Sequence, residues 1–123
     1  KPKVIKQALA RGIIQQSVSA WPQQCARADI IFLATPMGQI KKQLSELNGH
    51  INRQTVVSDV GSTKHELADW VKKIEFSGSY IGGHPMTGAE KSGLQAANPL
   101  LYENAVYLLC DVTPEKQALL KNK

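Results

Sequence analysis

The chain reads as an α/β protein built on a parallel sheet, and three observations predict it. Short apolar runs rich in Ile and Val alternate with stretches whose apolar residues recur every three or four positions. Gly, Pro or Asn stands at most of the junctions. The order is strand, helix, strand, helix, strand, which is the pattern of parallel strands joined by helical crossovers.

The elements follow in order. Val4, Ile5, Ala8 and Leu9 recur at helical spacing, and Gly12 ends that helix. Ala28 to Ala34 forms a buried strand that stops at Thr35-Pro36. Met37, Ile40, Leu44 and Leu47 make the apolar stripe of the next helix, closed around Asn48-Gly49. Thr55 to Val60 is a second strand, followed by Gly61-Ser62. Leu67, Trp70, Val71 and Ile74 share one face of a third helix, with Thr63 and Glu66 spaced as a capping box. Tyr80-Ile81-Gly82 is a third strand and Ala105 to Cys110 a fourth. Thr113 caps a final helix that has Pro114 in its first turn. No internal repeat, linker or low-complexity tract interrupts the series.

Composition bounds the function. With 123 residues, 42% of them hydrophobic and 20% charged, the chain suits one globular domain spanning residues 1–123. Its longest apolar run, Ile30 to Ala34, is far shorter than a bilayer span. Lys1-Pro2-Lys3 does not open a signal peptide, and the lack of an initiator methionine points to a start that has been cut away. Cys25 and Cys110 are too few for a disulfide framework and fit free thiols in a reducing cytoplasm. The net charge of +5 is concentrated before the first acid, Asp29. The basic residues are spread along helical patterns, and the few aromatics (two Trp, three Tyr, two Phe) do not cluster among them. That weakens the reading as a nucleic-acid groove, and a small anionic ligand such as a phosphate or carboxylate fits the positive bias equally well.

Ligands of open parallel sheets sit beyond the carboxyl ends of the strands. Three successive ends carry unusual residues: Thr35-Pro36, Asp59-Val60-Gly61-Ser62, and Gly82-Gly83-His84-Pro85. Each has an ordinary reading too, Thr35-Pro36 as a turn and Ser62 as a helix cap. His50 and His65 read as surface residues. His84 stands apart, because two glycines and a proline make poor packing neighbours and shape a stiff segment instead. Ser62 and His84, at neighbouring strand ends, would face one crevice and share or relay a proton. No nucleophile elbow surrounds Ser62, and no second His or Cys lies at metal-ligand spacing from His84.

These residues resemble a family. Asp59-Val60-Gly61-Ser62-Thr63-Lys64, then Gly82-Gly83-His84-Pro85-Met86 and Gly88-Ala89-Glu90-Lys91-Ser92-Gly93, are similar to the motifs of prephenate dehydrogenase. Leu33-Ala34-Thr35-Pro36 and Leu101-Tyr102-Glu103-Asn104-Ala105 fit the same pattern. The resemblance implies a Rossmann-like, doubly wound parallel sheet and the oxidative decarboxylation of prephenate to 4-hydroxyphenylpyruvate with NAD or NADP, in tyrosine biosynthesis. It implies His84 and Ser62 as catalytic residues that also bind substrate, with His84 taking the proton of the ring hydroxyl. Thr35, Pro36 and Gly61 would line the cofactor crevice, and Glu90 would shape the substrate entrance. It also implies a cytoplasmic homodimer without metal, nucleic acid or membrane as partner. Two alternatives stay open: an arogenate dehydrogenase of the same fold, and a non-catalytic nucleotide-binding or regulatory module.

The family pattern also has parts not found here. A strand, a Gly-x-Gly-x-x-Gly loop, a helix and a second strand would precede Lys1, and a C-terminal helical dimerisation domain would follow. The fold expected of the 123 residues is therefore an incomplete dinucleotide-binding domain. These residues alone are expected not to oxidise prephenate; turnover measured with the isolated chain would contradict that.

Overall fold

A computed structural model describes residues 2–88 and 93–123. Among the described residues ten elements follow one another, of which two are short 3-10 turns, Gln23–Arg27 and Leu94–Ala96. The strands are β1 (Ile30–Leu33), β2 (Val56–Asp59), β3 (Ser79–Pro85) and β4 (Tyr107–Cys110). The helices are α1 (Pro2–Ala10), α2 (Met37–Leu47), α3 (His65–Lys73) and α4 (Pro114–Lys121). The chain divides into two compact units, residues 1–19 with 85–106, and residues 20–84 with 107–123.

The larger unit carries the sheet, in the order β1-β2-β3-β4. β1, β2 and β3 pair in parallel, in the register Phe32↔Ser58↔Ile81 and Leu33↔Asp59↔Gly82. Parallel neighbours need crossovers, which α2 and α3 provide. β4 runs the other way: Gly82 faces Cys110, whereas Met86 donates its N–H to the carbonyl of Val106. An antiparallel edge on a parallel sheet is common in doubly wound folds. β3 is also longer than its apolar run predicts, and it carries His84 inside the strand.

Side chains alternate across the sheet. On one face Ile31, Leu33, Val57 and Tyr80 pack against Ile40, Leu44 and Leu47 of α2 and Leu67 of α3. The predicted stripes of both helices form this core, with Trp70, Val71 and Ile74 partly buried around it. Asn48 ties the helix ends together, donating to the Ile74 carbonyl (2.8 Å) and accepting from the Ser77 amide (2.8 Å). The opposite face is more open, with Phe32 58% exposed and set edge-on to Tyr107.

The capping box at Thr63 does not form. α3 starts at His65, and no side chain caps its first turn. Glu66 is drawn instead to Lys41 of α2, at 2.8 Å. Thr113 does cap α4, accepting from the Lys116 amide, with Pro114 at the helix start.

In the smaller unit α1 ends in a Schellman motif. The amide of Gly12 donates to Leu9 and that of Ile13 to Ala8, with Gly12 at φ +64°. Arg11 donates to the Leu94 carbonyl at 2.9 Å.

Leu44 has no exposed surface. Leu44→Ala is expected to lower stability by about 2–5 kcal/mol, as a lower urea midpoint at unchanged slope. Loss of the exposed Lys41–Glu66 pair by Lys41→Ala should cost under about 1 kcal/mol.

Candidate active site

The larger unit brings the three predicted strand ends together. Thr35 and Pro36 leave β1, Gly61 and Ser62 leave β2, and His84 sits near the end of β3. Val60 donates its amide to the Leu33 carbonyl at 3.3 Å, so the first two ends stay side by side. A Cβ on Gly61 would lie 2.0 Å from Met37 Sδ, so the absence of a side chain there lets the start of α2 close on the β2 turn. Pro36 and Ser62 are exposed; Thr35 and His84 are half-buried. Thr35 Oγ1 donates to Gln43 at 2.6 Å. Glu90 lies outside the described residues.

His84 Nδ1 is 3.1 Å from the carbonyl oxygen of Gly61. A carbonyl only accepts, so Nδ1 carries the hydrogen and, in the neutral ring, Nε2 keeps its lone pair. The imidazole thus reaches the Ser62 turn through the Gly61 backbone. No hydrogen bond joins His84 to the Ser62 hydroxyl among the described residues.

The turn rests on a buried carboxylate, Asp59, which in the sequence stands out only as the first residue of the Asp59–Lys64 motif. Asp59 has no exposed surface. Its Oδ1 accepts from the Gly61 amide (2.9 Å) and from Lys64 Nζ, and its Oδ2 accepts from the Tyr80 hydroxyl (2.7 Å). The Lys64 side chain is only 14% exposed. Above the Asp59 backbone, the Tyr107 hydroxyl donates to the Asp59 carbonyl at 2.8 Å. Its one hydrogen is then used, so Ser58 Oγ donates to it, at 2.9 Å.

This network explains Gly82 and Gly83. Neither has a positive φ. What they supply is space. A Cβ on Gly82 would lie 3.1 Å from Lys64 Cδ, and one on Gly83 would lie 2.1 Å from the Tyr107 hydroxyl. Lys64 crosses one face of β3 to reach Asp59, and the Tyr107 ring lies over the other. An acid in an otherwise apolar strand, followed by a lysine and later by two glycines, was the signal available in the sequence.

The remaining titratable groups offer less. Burial pushes the Cys25 thiol up, away from the activated thiolate range. Both cysteines are free, and no group of three or more His, Cys, Asp or Glu able to hold a metal occurs among the described residues. His50 and His65 are exposed. No helix among the described residues is long and apolar enough to cross a membrane.

The Gly-x-Gly-x-x-Gly loop that holds dinucleotide phosphates in folds of this kind does not occur in the 123 residues.

Burial, and then the hydrogen bond to Asp59, hold the Tyr80 phenol far above its ordinary value of 10.0. Above about pH 10 the unfolded chain releases this proton while the folded chain keeps it, so stability falls as pH rises. Unfolding free energy measured between pH 8 and 11 should show that decline (about one ionising tyrosine's worth) and Tyr80→Phe should flatten it.

Comparison with known proteins gives one consistent result. The family model for the prephenate dehydrogenase nucleotide-binding domain matches residues 1–122. The chain is 37% identical over 123 aligned positions to a prephenate dehydrogenase of Bacillus subtilis, covering 94% of this chain and 32% of that protein. It is 38% identical over 120 positions to one of Lactococcus lactis, covering 93% of this chain and 33% of that protein. It thus spans about a third of the length of the curated relatives it matches. Among solved structures, arogenate dehydrogenase of Synechocystis superposes with a TM-score of 0.81 at 29% identity, covering 99% of this chain and 44% of that one. Prephenate dehydrogenase of Aquifex aeolicus, in complex with hydroxyphenyl propionate and NAD+, gives 0.80 at 25% identity, covering 99% and 44%.

Proposed function

The chain belongs to the prephenate dehydrogenase family, as its nucleotide-binding domain, and from that premise we propose that it carries the proton-accepting side of a dehydrogenase acting on prephenate or arogenate. The observation that supports the reading is the hydrogen bond from His84 Nδ1 to the Gly61 carbonyl. It leaves Nε2 of the neutral ring as an acceptor at the carboxyl end of the sheet, where substrates of such folds bind.

In this reading the 4-hydroxyl of the substrate ring donates to His84 Nε2. When bound, an NAD-type cofactor supplies the hydride acceptor. As the C–H bond at that carbon breaks, the hydroxyl proton passes to Nε2 and the ring carboxylate leaves as CO₂, so the ring becomes an aromatic phenolate, which takes the proton back from Nε2 to give the 4-hydroxyl of the product. Aromatisation drives the step, and the protein's part is to position and polarise. Ser62, exposed beside Gly61, holds the same hydroxyl in this reading. In the same reading Thr35, Pro36 and Gly61 line the cofactor crevice, and Glu90, outside the described residues, is assigned to the substrate entrance. The intact enzyme in this reading is a cytoplasmic homodimer.

As proton acceptor His84 acts through its neutral imidazole. His84→Asn in the intact enzyme should lower kcat about 10²–10⁴-fold with prephenate or arogenate, whichever is turned over faster. Unchanged turnover would favour a nucleotide-binding module that lacks this chemistry, or a different base. Rates on the two substrates, and with NAD against NADP, set the finer specificity.

A further inference from the structure

We propose that the buried Asp59–Lys64 pair is a positioning device that fixes the tautomer and direction of His84. The proposal rests on His84 being the proton acceptor, and it adds what holds it so.

The geometry carries the proposal. Gly61 is the residue on which His84 leans, through its carbonyl at 3.1 Å. The same residue is anchored by its amide to Asp59 Oδ1 at 2.9 Å. The Val60 amide on the Leu33 carbonyl and the Met37 side chain against Gly61 also hold this turn, but neither bonds the Gly61 peptide as Asp59 does. Glycine is the residue with the most backbone freedom, so an unanchored Gly61 carbonyl would wander. Asp59 is fully buried and bonded through both carboxylate oxygens, and Lys64 on the oxygen that holds Gly61 offsets the cost of burying its charge. The sheet supplies the alignment: Asp59 pairs in register with Gly82, and His84 lies two residues further along the same face of β3. Carboxylate, turn and imidazole therefore lie on one side of two adjacent strands.

The groups around His84 and Asp59 can be assigned separate parts. Tyr80 binds Oδ2, the oxygen that does not touch Gly61. Tyr107 holds the Asp59 carbonyl and not its carboxylate. Loss of the Tyr80 hydroxyl should then weaken the fold without releasing Gly61. Loss of the Asp59 charge, or of its counter-ion, should release it. Asp59 and Lys64 are thus positioning residues, whereas His84 touches the substrate.

The test uses the intact dehydrogenase labelled with [15N]histidine, at a pH where His84 is neutral. The His84 signals are identified by their loss in His84→Asn. The wild-type ring is expected as the Nδ1–H tautomer. In Asp59→Asn an Nε2–H population should appear, and kcat should fall about ten- to hundredfold with KM changed less than about twofold. Lys64→Met should change both readouts in the same direction, and Tyr80→Phe should leave the tautomer as in wild type. A wild-type ring in the Nε2–H form would overturn the proposal, whatever the variants do. So would a folded Asp59→Asn, or Lys64→Met if the first does not fold, with wild-type tautomer and kcat. The tautomer is read without turnover, so failure of His84 as the base, seen as an active His84→Asn, remains a separate result.

Discussion

Burying the charge of Asp59 constrains much of what surrounds it. A carboxylate with no exposed surface is unfavourable unless several donors meet it. Here a backbone amide, an ammonium and a phenol do so, from the β2 turn, the start of α3 and β3. Each donor is drawn from a different element, so satisfying one side chain sets the relation among three. No buried side-chain polar atom is left without a partner among the described residues.

The same constraint explains where the small residues fall. Gly61 admits Met37, Gly82 admits the Lys64 stem, and Gly83 admits the Tyr107 ring. These glycines are selected by close approach of neighbours, not by left-handed backbone, which is needed instead at Gly12 and Gly49. His84 follows two such residues, so its setting is built from the side chains of other elements crossing over the bare strand.

The framework was readable from periodicity, because burial follows a repeat of two or 3.6 residues. Ile40, Leu44 and Leu47 are fully buried as their spacing requires, and β2 is buried throughout. The convergence of Thr35, Gly61, Ser62 and His84 was readable as well, since parallel strands place their ends on one side. The Asp59–Lys64–Tyr80 contacts were not, because they depend on register across β2 and β3, which local sequence does not encode. The direction of β4 and the full length of β3 depend on the same pairing. The Thr63–Glu66 spacing predicted a cap that lost to a longer-range partner, Lys41. How the site residues act on a substrate is carried by family membership and chemistry together.

The central claim is that the turn bearing Gly61 and Ser62 is held as firmly as the sheet by the Asp59 carboxylate, although it lies at the surface. Native-state hydrogen exchange of the Gly61 amide tests this most directly. This amide is expected to exchange with protection comparable to the amides of Val57 and Ile81 in the sheet. Exchange as fast as an unprotected surface loop would contradict it.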